Sequence, residues 1–93
     1  MKDEKNYVFN PFKNESLQKE RGISFEEIIQ SINLGRILAV LPHSNSRKYR
    51  NQHLLIIEIK DYAYVVPCIM KEKEIFLKTA YPSRKATKIY LKK

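Results

Sequence analysis

Three β-type runs follow one another in this chain almost without a break. His53–Lys60, Tyr62–Lys71 and Glu74–Tyr81 are rich in aliphatic and aromatic residues, and only Lys60-Asp61 and Lys71-Glu72-Lys73 separate them. A parallel pair needs a crossover of a dozen or so residues, which these breaks cannot supply, so the runs pair as an antiparallel meander. Neither break carries Asn-Gly or Asp-Gly, so the hairpin registers stay open. Pro67 falls inside the middle run; without an N–H it marks a bulge or an edge position.

The rest of the chain arranges itself around this meander. Ile37–Leu41 reads as one more strand, ended by Pro42. The loop from His43 to Gln52 is long for so small a domain, and long loops are often functional. At the other end Met1 to Asn6 is polar and reads as frayed, and Tyr7-Val8-Phe9 is a short strand. Asn10-Pro11 starts a helix, because Asn accepts from orphan N–H groups and Pro is tolerated at the first helical position. This helix runs to about Glu20 with a thin apolar face, Phe12 and Leu17, which predicts surface packing; Gly22 stops it. Ser24 and Glu27 then form a capping box, with Ile23 and Ile28 as a hydrophobic staple. Phe25, Ile28, Ile29 and Ile32 make one helical face, closed by Leu34-Gly35. Its two glutamates have a structural explanation and need no catalytic role. Pro82-Ser83 introduces a terminal helix, with Ser83 as cap and Ala86, Ile89 and Tyr90 packing inward.

The order predicts an α+β domain: an antiparallel sheet of four main strands, two N-terminal helices and a C-terminal helix, all on one face. In the last run Phe76, Lys78 and Ala80 point one way, and Ile75, Leu77, Thr79 and Tyr81 point to the core. In the first, Leu54, Ile56, Glu58 and Lys60 alternate with His53, Leu55, Ile57 and Ile59. Whichever set faces outward carries aliphatic side chains, which predicts a protein partner on the open face.

At 93 residues and 43% hydrophobic, the chain makes one domain with one modest core. It has no membrane-length apolar run and no signal-like apolar segment at its start, so the expected home is the cytoplasm. Cys68 is the single cysteine and sits in the apolar run Val65–Met70, where an inert buried thiol is expected. Two histidines and one cysteine without metal-ligand spacing predict no metal site, and no cofactor motif is present.

Charge is unevenly spread. Residues 1–27 hold five basic and six acidic residues, and residues 28–93 hold thirteen basic and four acidic. From Lys78 to Lys93 there are six basic residues and no acid; His43 to His53 is also acid-free and contains Arg47, Lys48, Tyr49 and Arg50. Two such patches point to a polyanion, most often nucleic acid, with Arg47, Lys48, Arg50, Lys85 and Lys88 as binding residues. The competing reading is a solvated basic surface.

The side chains available for chemistry fit metal-independent RNA cleavage. Attack by RNA's own 2′-hydroxyl needs a base, an acid for the leaving oxygen and cations for the crowded phosphate. His43 and His53 suit proton transfer, although the first is also an ordinary loop residue and the second an ordinary strand start. Arg84 suits phosphate, since its fork matches the oxygens. Lys78, in an otherwise apolar strand, calls for an open face or a partner. Tyr49, Tyr64 and Tyr81 can stack bases or donate a proton. Arg84 and Lys85 stand in the first turn of a helix, where anions are preferred, which hints at an external anion.

Two motifs carry a family resemblance. Phe9-Asn10-Pro11-Phe12-Lys13, followed by Arg21-Gly22-Ile23-Ser24-Phe25-Glu26-Glu27, resembles the N-terminal signature of BrnT-type toxins. Ser83-Arg84-Lys85-Ala86-Thr87-Lys88 resembles that family's Ser-Ala-Arg-Lys-Ala-Thr ending, and Lys48-Tyr49 stands where the family has Arg and an aromatic. Asn10 and Arg21 stand where the family has Asp and His. The resemblance implies a RelE-like ribonuclease toxin that blocks translation, with Arg84, Lys48 and Tyr49 carried over by position. It also implies a neighbouring acidic antitoxin with a DNA-binding region. The alternative is a non-enzymatic RNA- or DNA-binding regulator, which the charge explains equally well.

Overall fold

The computed structural model describes residues 6–45 and 47–92. Of the stretch expected to fray, residues 1–5 lie outside this range, while Asn6 opens the first strand. The elements are β1 (Asn6–Phe9), α1 (Pro11–Arg21), α2 (Phe25–Asn33), β2 (Ile37–Pro42), β3 (Gln52–Ile59), β4 (Tyr62–Met70), β5 (Glu74–Leu77) and β6 (Tyr81–Pro82). A C-terminal segment follows, helical as α3 (Arg84–Ala86) and continuing as a π-helix over Thr87–Leu91.

The strands form one sheet in the order β1-β5-β4-β3-β2, with β6 also pairing β4. Strands β2 to β5 are antiparallel neighbours, as the short breaks require. β1 instead pairs with β5 in parallel, so the α+β domain has a mixed, mostly antiparallel sheet. The chain between β1 and β5 is long enough to permit that parallel return.

Local chemistry sets the helix ends. Asn10 Oδ1 accepts from the Phe12 N–H at 2.8 Å and the Lys13 N–H at 3.4 Å. Gly22 ends α1 with φ 69°, and its N–H donates to the Gln18 carbonyl at 3.1 Å. Ser24 Oγ accepts from the Glu27 N–H at 3.1 Å. The β3–β4 hairpin turns at Lys60 and Asp61, with φ of 51° and 68°. Two successive left-handed residues are the pattern of a type I′ turn, here without the usual Asn-Gly, and they set the register with Ile59 opposite Tyr62.

The expected strand over Glu74–Tyr81 is interrupted. Leu77 stands opposite Cys68 and Tyr81 opposite Val65, so three residues, Lys78 to Ala80, face two, Val66 and Pro67. This is a β-bulge beside Pro67, where a missing N–H costs no ladder bond. One extra residue inverts every side chain beyond it. Ala80, expected outward, is therefore fully buried with Leu77, whereas Tyr81, expected in the core, is 39% exposed on the opposite face.

The helix arrangement also differs from the expected single layer. α1 and α2 cover one face of the sheet. Leu17, Phe25, Ile28 and Ile32 pack there on Leu55, Ile57, Val66, Cys68 and Leu77. Leu17 thus carries α1 into the core, while Phe12, the other half of its thin stripe, is 79% exposed. The C-terminal segment lies on the other face. Ala86 packs there on Ile56, Ala63 and Val65, with Tyr90 and Leu91 against the same cluster. The aliphatic face that was expected to be open is thus partly covered by the chain itself. Ile89, expected inward, is 53% exposed, and Thr87 is buried in its place. The wider π-turn rotates the face away from helical spacing. Arg84 and Lys85 stand in the first turn of this segment, directly after the Ser83 cap.

Candidate nucleic-acid interface

The candidate residues fall into two groups. The first is at the β2–β3 loop. The His43 and Tyr49 rings lie 4.5 Å apart at an interplanar angle of 47°, and Lys48 Nζ sits 5.4 Å from the Tyr49 ring centre. The loop is tied internally: the Asn45 N–H donates to His43 Nδ1 at 3.0 Å, the Tyr49 N–H to the Asn45 carbonyl at 3.0 Å, and the Gln52 N–H to the Tyr49 carbonyl at 3.1 Å. An accepting Nδ1 leaves the proton of neutral His43 on Nε2. Arg47, Lys48 and Arg50 are exposed on the same loop. Lys78 joins this group through Gln52, its Nζ donating to Oε1 at 3.4 Å.

The second group is on the C-terminal segment. Ser83 Oγ caps it by accepting from the Ala86 N–H at 3.0 Å. Thr87 Oγ1 donates to the Ser83 carbonyl at 2.7 Å and accepts from the Ala63 N–H at 3.0 Å, pinning the segment to β4. This anchor presents Arg84, Lys85, Lys88 and Ile89 around an open depression of about 510 Å³. Beside it, a smaller apolar cleft of about 250 Å³ runs between segment and sheet, with Tyr81, Ser83 and Lys85 on its lining.

The strand register separates the two groups. Gln52 stands opposite Ile69, whereas the Ser83 N–H bonds the Ala63 carbonyl, six residues back along β4. At the rise of an extended strand this is about 20 Å. Lys78 turns toward Gln52, in the first group rather than beside Arg84.

His53 belongs to neither group. It stands opposite Cys68 in the sheet, and its Nδ1 is buried without a protein partner. Cys68 is fully buried. Burial pushes its thiol up to about 11, against a hydrogen bond from the His53 backbone that lowers it. Such a thiol is not a nucleophile near neutral pH. Burial, then the neighbouring Cys68, also raises the Tyr7 hydroxyl.

Sequence reading did not single out two side chains that hold this arrangement together. One is Thr87, whose acceptance of the Ala63 N–H has no local signature. The other is Asn14, buried on α1: its Oδ1 accepts from the Phe25 N–H at 2.7 Å, and its Nδ2 donates to Glu26 Oε1 at 2.8 Å. That bond from Asn14 is the largest of the effects holding the Glu26 carboxyl below its ordinary range, followed by a bond from its own backbone. Both side chains satisfy orphan backbone donors from a distance, which only the assembled fold reveals.

Among the described residues no group of three His, Cys, Asp or Glu side chains is placed to hold a metal ion, and no helix is long and apolar enough to cross a membrane. In comparisons with protein-family models, curated proteins and solved structures, nothing matches this chain.

Proposed function

We propose that this protein is the toxin component of a type II toxin–antitoxin system: a BrnT-like, metal-independent endoribonuclease on a RelE-like scaffold that cleaves RNA and inhibits translation. One observation carries the reading. Arg84, Lys85 and Lys88 surround a single open depression, in a stretch from Lys78 onward that contains no acidic residue. Three cations lining one depression, with no carboxylate among its lining residues, fit a phosphate. Arg84 holds the phosphate as negative charge gathers on it. The 2′-hydroxyl oxygen attacks the phosphorus, its proton passes to a base, and the 5′ oxygen leaves with a proton from an acid. Tyr81 and Lys85, which line the adjoining cleft, are the nearest candidates for those two roles. The antitoxin is an acidic protein with a DNA-binding region, which neutralises the cationic rim and covers the apolar surface around Tyr81 and Ile89.

A specific observation favours a second reading, a non-enzymatic RNA- or DNA-binding regulator: neither histidine stands with Arg84. Induced expression in a bacterial host separates the two, with growth and RNA integrity followed over time. Growth arrest with RNA fragments supports the toxin, and normal growth with intact RNA supports the regulator.

A further inference from the structure

We propose that the β2–β3 loop is a base-stacking platform for unpaired RNA, built from Tyr49 and His43 with Arg47, Lys48 and Arg50 as its phosphate contacts. This rests on the reading that RNA is the partner, and it adds a second subsite away from Arg84. Four observations support it. Tyr49 and His43 pack against each other at a tilt yet belong to neither apolar core cluster, and both remain half-buried. Rings that pack together outside a core still offer a face to a planar ligand. His43, Asn45, Tyr49 and Gln52 are held by hydrogen bonds to one another, so these residues need little further ordering when a base arrives. The loop's own sequence is cationic, with no acid between His43 and His53. The distance also fits a strand rather than a single nucleotide: with the two anchor points about 20 Å apart along β4, one chain touching both spans several nucleotides. Duplex RNA keeps its bases stacked inside and has no face to offer the platform.

Tyr49 and His43 here bind rather than transfer protons, and a binding assay tests this. The probes are a 2′-O-methyl oligouridylate, which cannot be cleaved, its abasic counterpart with the same phosphates, and a duplex of equal length. Tyr49→Ala should weaken the oligouridylate roughly tenfold and leave the abasic strand unchanged. Tyr49→Phe should bind like the parent protein, and the duplex should bind more weakly than the single strand. Lys48→Ala should lower the slope of log affinity against log salt by about 0.7, whereas Tyr49→Ala should not change it. If Tyr49→Ala proves unfolded, His43→Ala is read in the same comparison. Equal binding by the alanine variant, or an equal loss on the abasic strand, overturns the platform and leaves the toxin reading standing. A parent protein that binds no oligonucleotide overturns both.

Discussion

The two faces of the sheet are built differently. The face under α1 and α2 is deep: Phe25 stacks on Phe9 with ring centres 4.9 Å apart, and Ile28, Ile57 and Leu77 are sealed beneath them. The face under the C-terminal segment is shallow, with Ile56, Ala63, Val65 and Ala86 as its buried residues. Its cover is a short helix, a π-turn and a threonine pin. A deep face holds the fold whatever happens on the other side, which leaves the shallow face free to carry exposed cations and an open cleft. Stability and the proposed chemistry are therefore separable by mutation.

The largest expected effect is on the deep face. Phe25→Ala should cost about 3–5 kcal/mol in denaturant unfolding, through a cavity among side chains that cannot collapse. Arg84→Ala should do the reverse. It should unfold at the parent's denaturant midpoint and lose RNA cleavage on the order of a hundredfold, the cost of one transition-state contact. If it loses stability and keeps its activity, the separation of faces fails.

Thr87→Val and Asn14→Ala sharpen the contrast, since each strips an acceptor from a backbone N–H. Each should cost about 1–3 kcal/mol. Thr87→Val should also reduce activity per folded molecule, because it loosens the segment that presents Arg84. Asn14→Ala should leave that specific activity intact. The smallest effect is a pH dependence. Glu26 titrates below its ordinary range when folded, so its contribution is present above the unfolded glutamate value and disappears as pH falls through the lowered one. Unfolding midpoints of the parent and Glu26→Gln, measured across acidic pH, should differ above that window and converge below it.

Much of the deep face was legible in the sequence because its signals are local. Asn10, Gly22 and Ser24 act within a few residues of themselves, and the meander follows from break lengths alone. What was not legible depends on distant partners. The bulge at Lys78–Ala80 reverses the parity of Ala80 and Tyr81, and no alternation pattern shows an extra residue before the partner strand is known. The π-turn swaps Ile89 for Thr87 in the same way. The basic residues were visible as charge, but their division between the loop and the C-terminal segment is a property of strand register, which the Lys60-Asp61 turn fixes without the usual turn residues.

Nucleic acid should meet the shallow face and the loop end, not the face of α1 and α2. Mapping amide and side-chain NMR shifts during titration with an uncleavable, unpaired oligonucleotide tests it directly. Perturbations are expected at Tyr49, Arg84, Lys85 and Lys88, with Lys13, Lys19 and Arg21 on α1 unmoved although they are also basic. Perturbations centred on α1, or spread evenly over all basic residues, would contradict it.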